Sequence, residues 1–161
     1  MVDDAFATQE TLGFMPANSV TPAQRMKLWA DGASRGNPGP SGAGAVVKLA
    51  DGSIVGEVAE FLGHGTNNRA EYTAVLLGLQ RALELGGREI DVYMDSQLVV
   101  RQMEGVYKVK NAGLRPLWEQ VGALSRRFAR CTFHHVPREQ NSEADALANT
   151  GVDSGAQRRS Y

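Results

Sequence analysis

Apolar and polar positions change period several times along the chain, and each change marks an element. Residues 1–25 mix Thr, Pro, Ala, Asn and acidic residues with no period of 2 or 3.6. They read as a flexible N-terminal extension. From Met26 to Ala30 the alternation is that of a strand, closed at Asp31-Gly32 by a turn. A Gly- and Pro-rich loop follows from Arg35 to Pro40. Gly44 to Leu49 reads as a second strand, Asp51-Gly52 as a hairpin turn, and Ile54 to Leu62 as a third strand. The period then becomes helical. Ala70, Ala74, Leu77 and Leu85, with Val75, Leu79 and Ala82 beside them, describe an amphipathic helix capped by Asn68 and ended by Gly86-Gly87. Ile90 to Met94 reads as a buried strand and Ser96 to Met103 as a short helix. Leu114 to Phe128 is helical, with Pro116 tolerated in its first turn. Cys131 to His135 is a fifth strand, and Asn141 to Thr150 a last helix stopped at Gly151.

The order βββαβααβα, a three-strand meander followed by crossovers, implies an α/β fold: one mixed sheet with helices packed on it. The domain is expected over residues 26–151, with residues 152–161 as a polar C-terminal tail. Composition fits that outline. Of the 161 residues, 42% are hydrophobic and 22% charged, the balance of a water-soluble globular protein. No apolar run is long enough to span a membrane. The acidic start, Met1-Val2-Asp3-Asp4, is unlike a secretory signal, and Asp3, Asp4 and Glu10 are unlike a transit peptide. The single cysteine, Cys131, reads as a small strand hydrophobe, and a reducing cytoplasm is the expected location. The formal net charge of −1 is low for a protein that holds nucleic acid by charge alone. A nucleic-acid ligand would have to be held by a local patch, metal ions and shape.

Candidate chemistry lies in four carboxylates at the ends of elements that should converge. Asp31 ends the first strand and Asp95 the fourth. If those strands are parallel neighbours, the two carboxylates stand roughly 5 Å apart at one sheet edge. That edge is where open α/β sheets place their sites. Glu71 falls in the first turn of the long helix and Asp145 near the start of the last. Each also has a local explanation. Asp31 suits a turn, Glu71 a capping box with Asn68, Asp95 a cap for the following helix, and Asp145 the helix dipole. Local roles do not explain convergence, because clustered carboxylates repel unless a cation sits among them. Oxygen ligands without a Cys or His cluster suit Mg²⁺ or Mn²⁺. Two such ions about 4 Å apart serve in-line phosphodiester hydrolysis.

These residues fall in four blocks that resemble the type 1 ribonuclease H family. The blocks are Asp31-Gly32-Ala33-Ser34-Arg35-Gly36-Asn37-Pro38-Gly39-Pro40, Thr66-Asn67-Asn68-Arg69-Ala70-Glu71, Asp95-Ser96-Gln97 and Asn141-Ser142-Glu143-Ala144-Asp145-Ala146-Leu147-Ala148. The likeness covers about residues 26–150 in the family's order. It implies an RNase H-like fold, a five-stranded sheet of order 3-2-1-4-5 with the second strand antiparallel to the rest. It also implies a monomeric endonuclease that cuts the RNA strand of an RNA–DNA hybrid and leaves 5′-phosphate and 3′-hydroxyl ends. By that resemblance Asp31 bridges two Mg²⁺ ions, with Glu71 and Asp95 on one and Asp145 on the other, and Mn²⁺ can substitute. Backbone groups at Gly32, Ala33 and Ser34 and the amides of Asn37, Asn67, Asn68 and Gln97 match positions used along the hybrid's minor groove, where 2′-hydroxyls mark the RNA strand. Thr66 and Arg69 match positions near a DNA-phosphate pocket.

Two departures from the family pattern stand out. Many members carry a histidine in the loop before the last helix. Here that loop is Val136 to Gln140, and Arg138 is the nearest replacement. An arginine stays charged and cannot shuttle a proton, but it can steady a phosphate. His134 and His135 lie on the preceding strand, and His64 reads as a solvated loop residue. Glu104 to Gly113, with Lys108, Lys110 and Tyr107, reads as a reduced form of the basic protrusion seen in some relatives. Other readings are a 3′–5′ exonuclease of the same fold, which would want an acid where Ala33 stands. A non-catalytic hybrid-binding module or a detached reverse-transcriptase domain also remains.

Overall fold

The computed structural model describes Thr21 and residues 24–159. The expected extension over residues 1–25 lies outside the described residues apart from Thr21, Gln24 and Arg25. Five strands, β1 (Arg25–Ser34), β2 (Gly39–Leu49), β3 (Ile54–Gly65), β4 (Glu89–Met94) and β5 (Arg130–His135), form one sheet in the order β3-β2-β1-β4-β5. β2 runs antiparallel to β1 and β3, whereas β1, β4 and β5 are parallel. This is the RNase H-like order expected from the sequence. The helices are α1 (Asn67–Glu84), α2 (Gln97–Met103), α3 (Arg115–Ser125) and α4 (Ser142–Arg159).

The sheet is built by period-2 burial. Met26, Leu28 and Ala30 of β1 and Ile90, Val92 and Met94 of β4 are buried on the face toward α1, α2 and α3. β2 is covered on both sides. Ala43, Ala45 and Val47 join the α1 core, and Gly42 and Gly44 meet α4.

Several boundaries move, each for a physical reason. β1 does not turn at Asp31-Gly32 but runs on to Ser34, because Gly32, Ala33 and Ser34 ladder with Ala43, Gly42 and Ser41 of β2. The expected cap at Asn68 is replaced by Thr66, whose hydroxyl accepts from Arg69 N at 3.2 Å, so α1 begins at Asn67. Glu71 therefore sits in the second turn and has no capping role. Ser96, not Asp95, caps α2 by accepting from Val99 N. The expected polar tail is instead helix as far as Arg159. α4 passes through Gly151 because a Cβ there would stand 2.4 Å from Glu60 O on β3. The glycine allows close packing, which offsets its helix cost of about 1 kcal/mol.

Candidate active site

The parallel pairing of β1 and β4 runs to Trp29 opposite Tyr93, which carries Asp31 and Asp95 side by side just beyond it. Two glycines bring the remaining carboxylates to that edge. A Cβ on Gly32 would lie 2.3 Å from Glu71 N, so its absence lets α1 cross β1 with Glu71 against Asp31. A Cβ on Gly44, the β2 partner of Asp31, would lie 2.2 Å from Ala144 O and 2.3 Å from Ala148 N. Its absence seats α4 on the sheet and delivers Asp145.

The result is an open hollow of about 350 Å³ lined by Asp31, Gly32, Ala33, Ser34, Arg35, Asn67, Glu71, Asp95, Arg138, Asp145 and Asn149. All four sequence-nominated carboxylates share it. Asp31 is only 6% exposed. Burial first, then the charge of Asp95, a hydrogen bond shared with Asp145 and the charge of Glu71 push its carboxyl up to about 8. Burial likewise raises Glu71 to about 7, against a hydrogen bond from Ser96 that lowers it and with Asp95 nearby that raises it. Among the described residues no three His, Cys, Asp or Glu side chains stand as a ready-made metal cage. The carboxylates line an open bowl, and burial with the neighbouring charges opposes ionisation of Asp31 and Glu71. An all-oxygen donor set with that electrostatic conflict fits hard divalent cations.

Apart from Gln97, the other nominated residues divide between this hollow and a neighbouring one. Asn37, Thr66, Asn68 and Arg69 line a separate hollow of about 410 Å³ with Gly65, Asn111, Gly113 and Leu114. Asn37 Oδ1 accepts from Asn67 N at 3.0 Å, so it ties its loop to the start of α1. Ser34 Oγ donates to Gly65 O at 2.9 Å and also reaches Gly36 O, bracing that loop. Gln97 is exposed at the start of α2 and lines neither hollow. Arg138 stands in a 3₁₀ turn over Arg138–Gln140, on the rim of the acidic hollow. His134 lines neither hollow and stacks on Tyr93 of β4, and His64 pairs with Pro40 near the end of β3.

Sequence reasoning overlooked four polar residues here, one of them Asn149, which lines the acidic hollow and whose Oδ1 accepts from Arg35 Nη2 at 3.5 Å. Arg35 lines the acidic hollow and is held by Asp153 at 2.7 Å, a salt bridge to the part of α4 read as tail. Asn111 lines the second hollow and accepts from Gly113 N and Leu114 N. Asn141 is buried, and its Nδ2 donates to Ala30 O at 3.0 Å and Asp95 Oδ1 at 2.9 Å. For Asn141 a signal existed, a polar residue just ahead of an acidic helix start, but it reads as an ordinary cap.

A model of the reverse transcriptase-like family matches residues 30–151. Over 134 residues the chain is 50% identical to the bifunctional protein of Mycobacterium tuberculosis, covering 83% of this chain and 37% of that protein. The chain thus spans little more than a third of that relative's length. It is 36% identical over 151 residues to the ribonuclease H of Bordetella bronchiseptica, covering 81% of this chain and 91% of that enzyme. Among solved structures, the N-terminal RNase H domain of the M. tuberculosis protein superposes with a TM-score of 0.78 at 46% identity, covering 80% of this chain and 98% of that one. RNase H1 of Halobacterium salinarum gives 0.79 at 41% identity, covering 81% and 98%. A third RNase H1, solved in complex with an RNA/DNA hybrid, gives 0.77 at 38% identity, covering 81% and 99%.

Proposed function

The chain belongs to the ribonuclease H family, and from that premise we propose that it is an endonuclease hydrolysing the RNA strand of RNA–DNA hybrids to 5′-phosphate and 3′-hydroxyl ends. The observation that carries this reading is the meeting of Asp31, Glu71, Asp95 and Asp145 in one hollow, with two of them held well above the usual carboxylate range. Those four residues would hold two Mg²⁺ ions. When bound, such ions supply an activated water and stabilise charge on the leaving oxygen.

The chain's own groups do the positioning. The hollow is open, so a duplex can lie across it without a lid. Gly32, Ala33 and Ser34 form one wall, where a minor groove displaying 2′-hydroxyls would be read by backbone groups. Thr66, Asn68, Arg69 and Asn111 line the second hollow, which suits a phosphate of the DNA strand. Arg35 and Arg138 put positive charge on the rim of an otherwise acidic bowl, where a phosphate must approach carboxylates. With few other cations in reach and a net charge of −1, affinity should rest on geometry and ions, giving a shallow salt dependence.

The decisive experiment incubates an end-labelled RNA strand annealed to DNA with protein in Mg²⁺ or EDTA. Single-stranded RNA, duplex RNA and duplex DNA run alongside. Internal cuts in the hybrid alone, abolished by EDTA, are expected. Asp95→Asn should fold normally and lose nearly all cleavage, because it removes a charged ligand and keeps the side chain's shape. An active Asp95→Asn protein would overturn the ligand assignment. No cleavage by folded wild type in Mg²⁺ or Mn²⁺ would leave a hybrid-binding module, and cleavage of duplex DNA a different nuclease.

A further inference from the structure

We propose that Asn141 is a positioning residue for the reaction, its buried amide clamping Asp95 and the Asp31 end of β1 into one arrangement; this rests on reading the four carboxylates as the ion-holding set. Asn141 is 1% exposed and stands immediately before α4. An asparagine there ordinarily turns its side-chain oxygen onto a backbone N–H of the first helical turn. This one does not. Its Oδ1 has no hydrogen-bond partner, while its Nδ2 donates to both Ala30 O and Asp95 Oδ1. The assignment of the two amide atoms follows from the neighbours, since a flipped amide would set its oxygen against a carbonyl and a carboxylate. Asn141 thus forgoes a capping bond and leaves a buried oxygen unsatisfied, a double local cost.

What it gains is registration of three carboxylate-bearing segments by one residue. Ala30 O belongs to the peptide that leads into Asp31. Asp95 is gripped directly. Asn141 O accepts from Asp145 N at 3.0 Å, the helical bond that starts the turn holding Asp145. The side-chain amide therefore ties β1 to β4, and the backbone of the same residue starts α4, where these elements carry Asp31, Asp95 and Asp145. Hydrogen bonds that orient ligating carboxylates commonly govern affinity and activity by factors of about 10–100.

The test uses the full chain as wild type, Asn141→Ser and Asn141→Ala. Serine caps helices well but is too short to span both acceptors, so it separates capping from clamping. Mg²⁺ affinity is read without substrate, from NMR shifts of amides lining the hollow. Hybrid cleavage is read as kcat and KM, and folding from thermal melts. In both variants the Mg²⁺ midpoint should rise about tenfold or more and kcat fall by a similar factor. KM for the hybrid should be little changed. A role confined to capping predicts wild-type Mg²⁺ affinity and kcat in Asn141→Ser, and that result would overturn the proposal. A second readout needs no variant: the Asn141 side-chain amide of wild type should shift with the same Mg²⁺ midpoint as Asp95, and an unmoved signal would overturn it. If wild type neither binds Mg²⁺ in the hollow nor cuts hybrid, the catalytic reading falls as well. If wild type does both and Asn141→Ser matches it, the clamp alone falls.

Discussion

Replacing Asp31 by asparagine should stabilise the metal-free protein, by an amount set by pH. Asp31 is 6% exposed, and burial with three nearby carboxyls holds it near 8 in the folded chain. In the unfolded chain it titrates at about 3.9. A raised folded value means the native state keeps a proton that the unfolded state has lost. Its favourable contribution is therefore complete below about pH 4 and is lost as pH rises through about 8, at about 1.4 kcal/mol per unit. Three units, from about 4 to 7, set a ceiling of about 4 kcal/mol, and relaxation with water entry at an open hollow brings the cost to about 2 kcal/mol. Asp31→Asn removes that cost, so its melting midpoint at pH 7 in EDTA should exceed wild type by about 6 °C. The gap should narrow as pH falls and close below about pH 4, where this carboxyl is protonated in the folded and the unfolded chain alike. Adding Mg²⁺ at pH 7 should raise the wild-type midpoint and leave the variant's nearly unmoved, because ions bind the ionised set. Paired melts in EDTA and Mg²⁺ across that pH range measure all of this. Coincident melts at pH 7 in EDTA, or a gap that persists unchanged below about pH 4, would refute the claim that burial and neighbouring charge oppose ionisation of Asp31 in the absence of ions.

Other expectations concern packing and the rim of the site. Gly44→Ala would put a methyl about 2 Å from the α4 backbone. It should cost about 3 kcal/mol in denaturant unfolding and depress cleavage by displacing Asp145. Tyr72, fully buried beside Glu71, donates its hydroxyl to Gln102 Oε1 at 2.6 Å. Tyr72→Phe should lower stability by about 1–2 kcal/mol, since the buried acceptor is left alone, while kcat in steady-state cleavage should change little. Arg138→Ala should lower kcat/KM about tenfold, the worth of one charge-assisted phosphate contact, and far less than Asp95→Asn. Equal losses in the two variants would give Arg138 a larger role than the rim position supports.

Much of this protein is legible in one dimension. Met26, Leu28 and Ala30 alternate because one face of β1 is buried, and Ala70, Ala74 and Leu77 recur because α1 buries a stripe. A meander followed by crossovers leaves few topologies, and the observed sheet order is the one implied by the four-block resemblance. The carboxylates were legible because acids at strand ends and helix starts, placed in that order, converge at one edge.

What the sequence could not decide lies in contacts between distant segments. Asp31-Gly32 has the local chemistry of a turn, yet ladder bonds to β2 keep it extended. Asn68 and Thr66 are both able caps, but Asn37 from thirty residues away takes Asn67 N, and the bond from Arg69 N goes to Thr66. Gly151 looks like a stop, but α4 continues because β3 lies against it too closely for any side chain. Asn141 looks like a cap and serves instead as a clamp between β1 and β4, more than forty residues away from Asp95. The reason is common to all four. Local preferences among turn, cap and stop differ by about 1 kcal/mol or less. A ladder, a buried amide or a packed helix face supplied by a remote segment outweighs that difference, and its identity is settled when the sheet and helices close on one another.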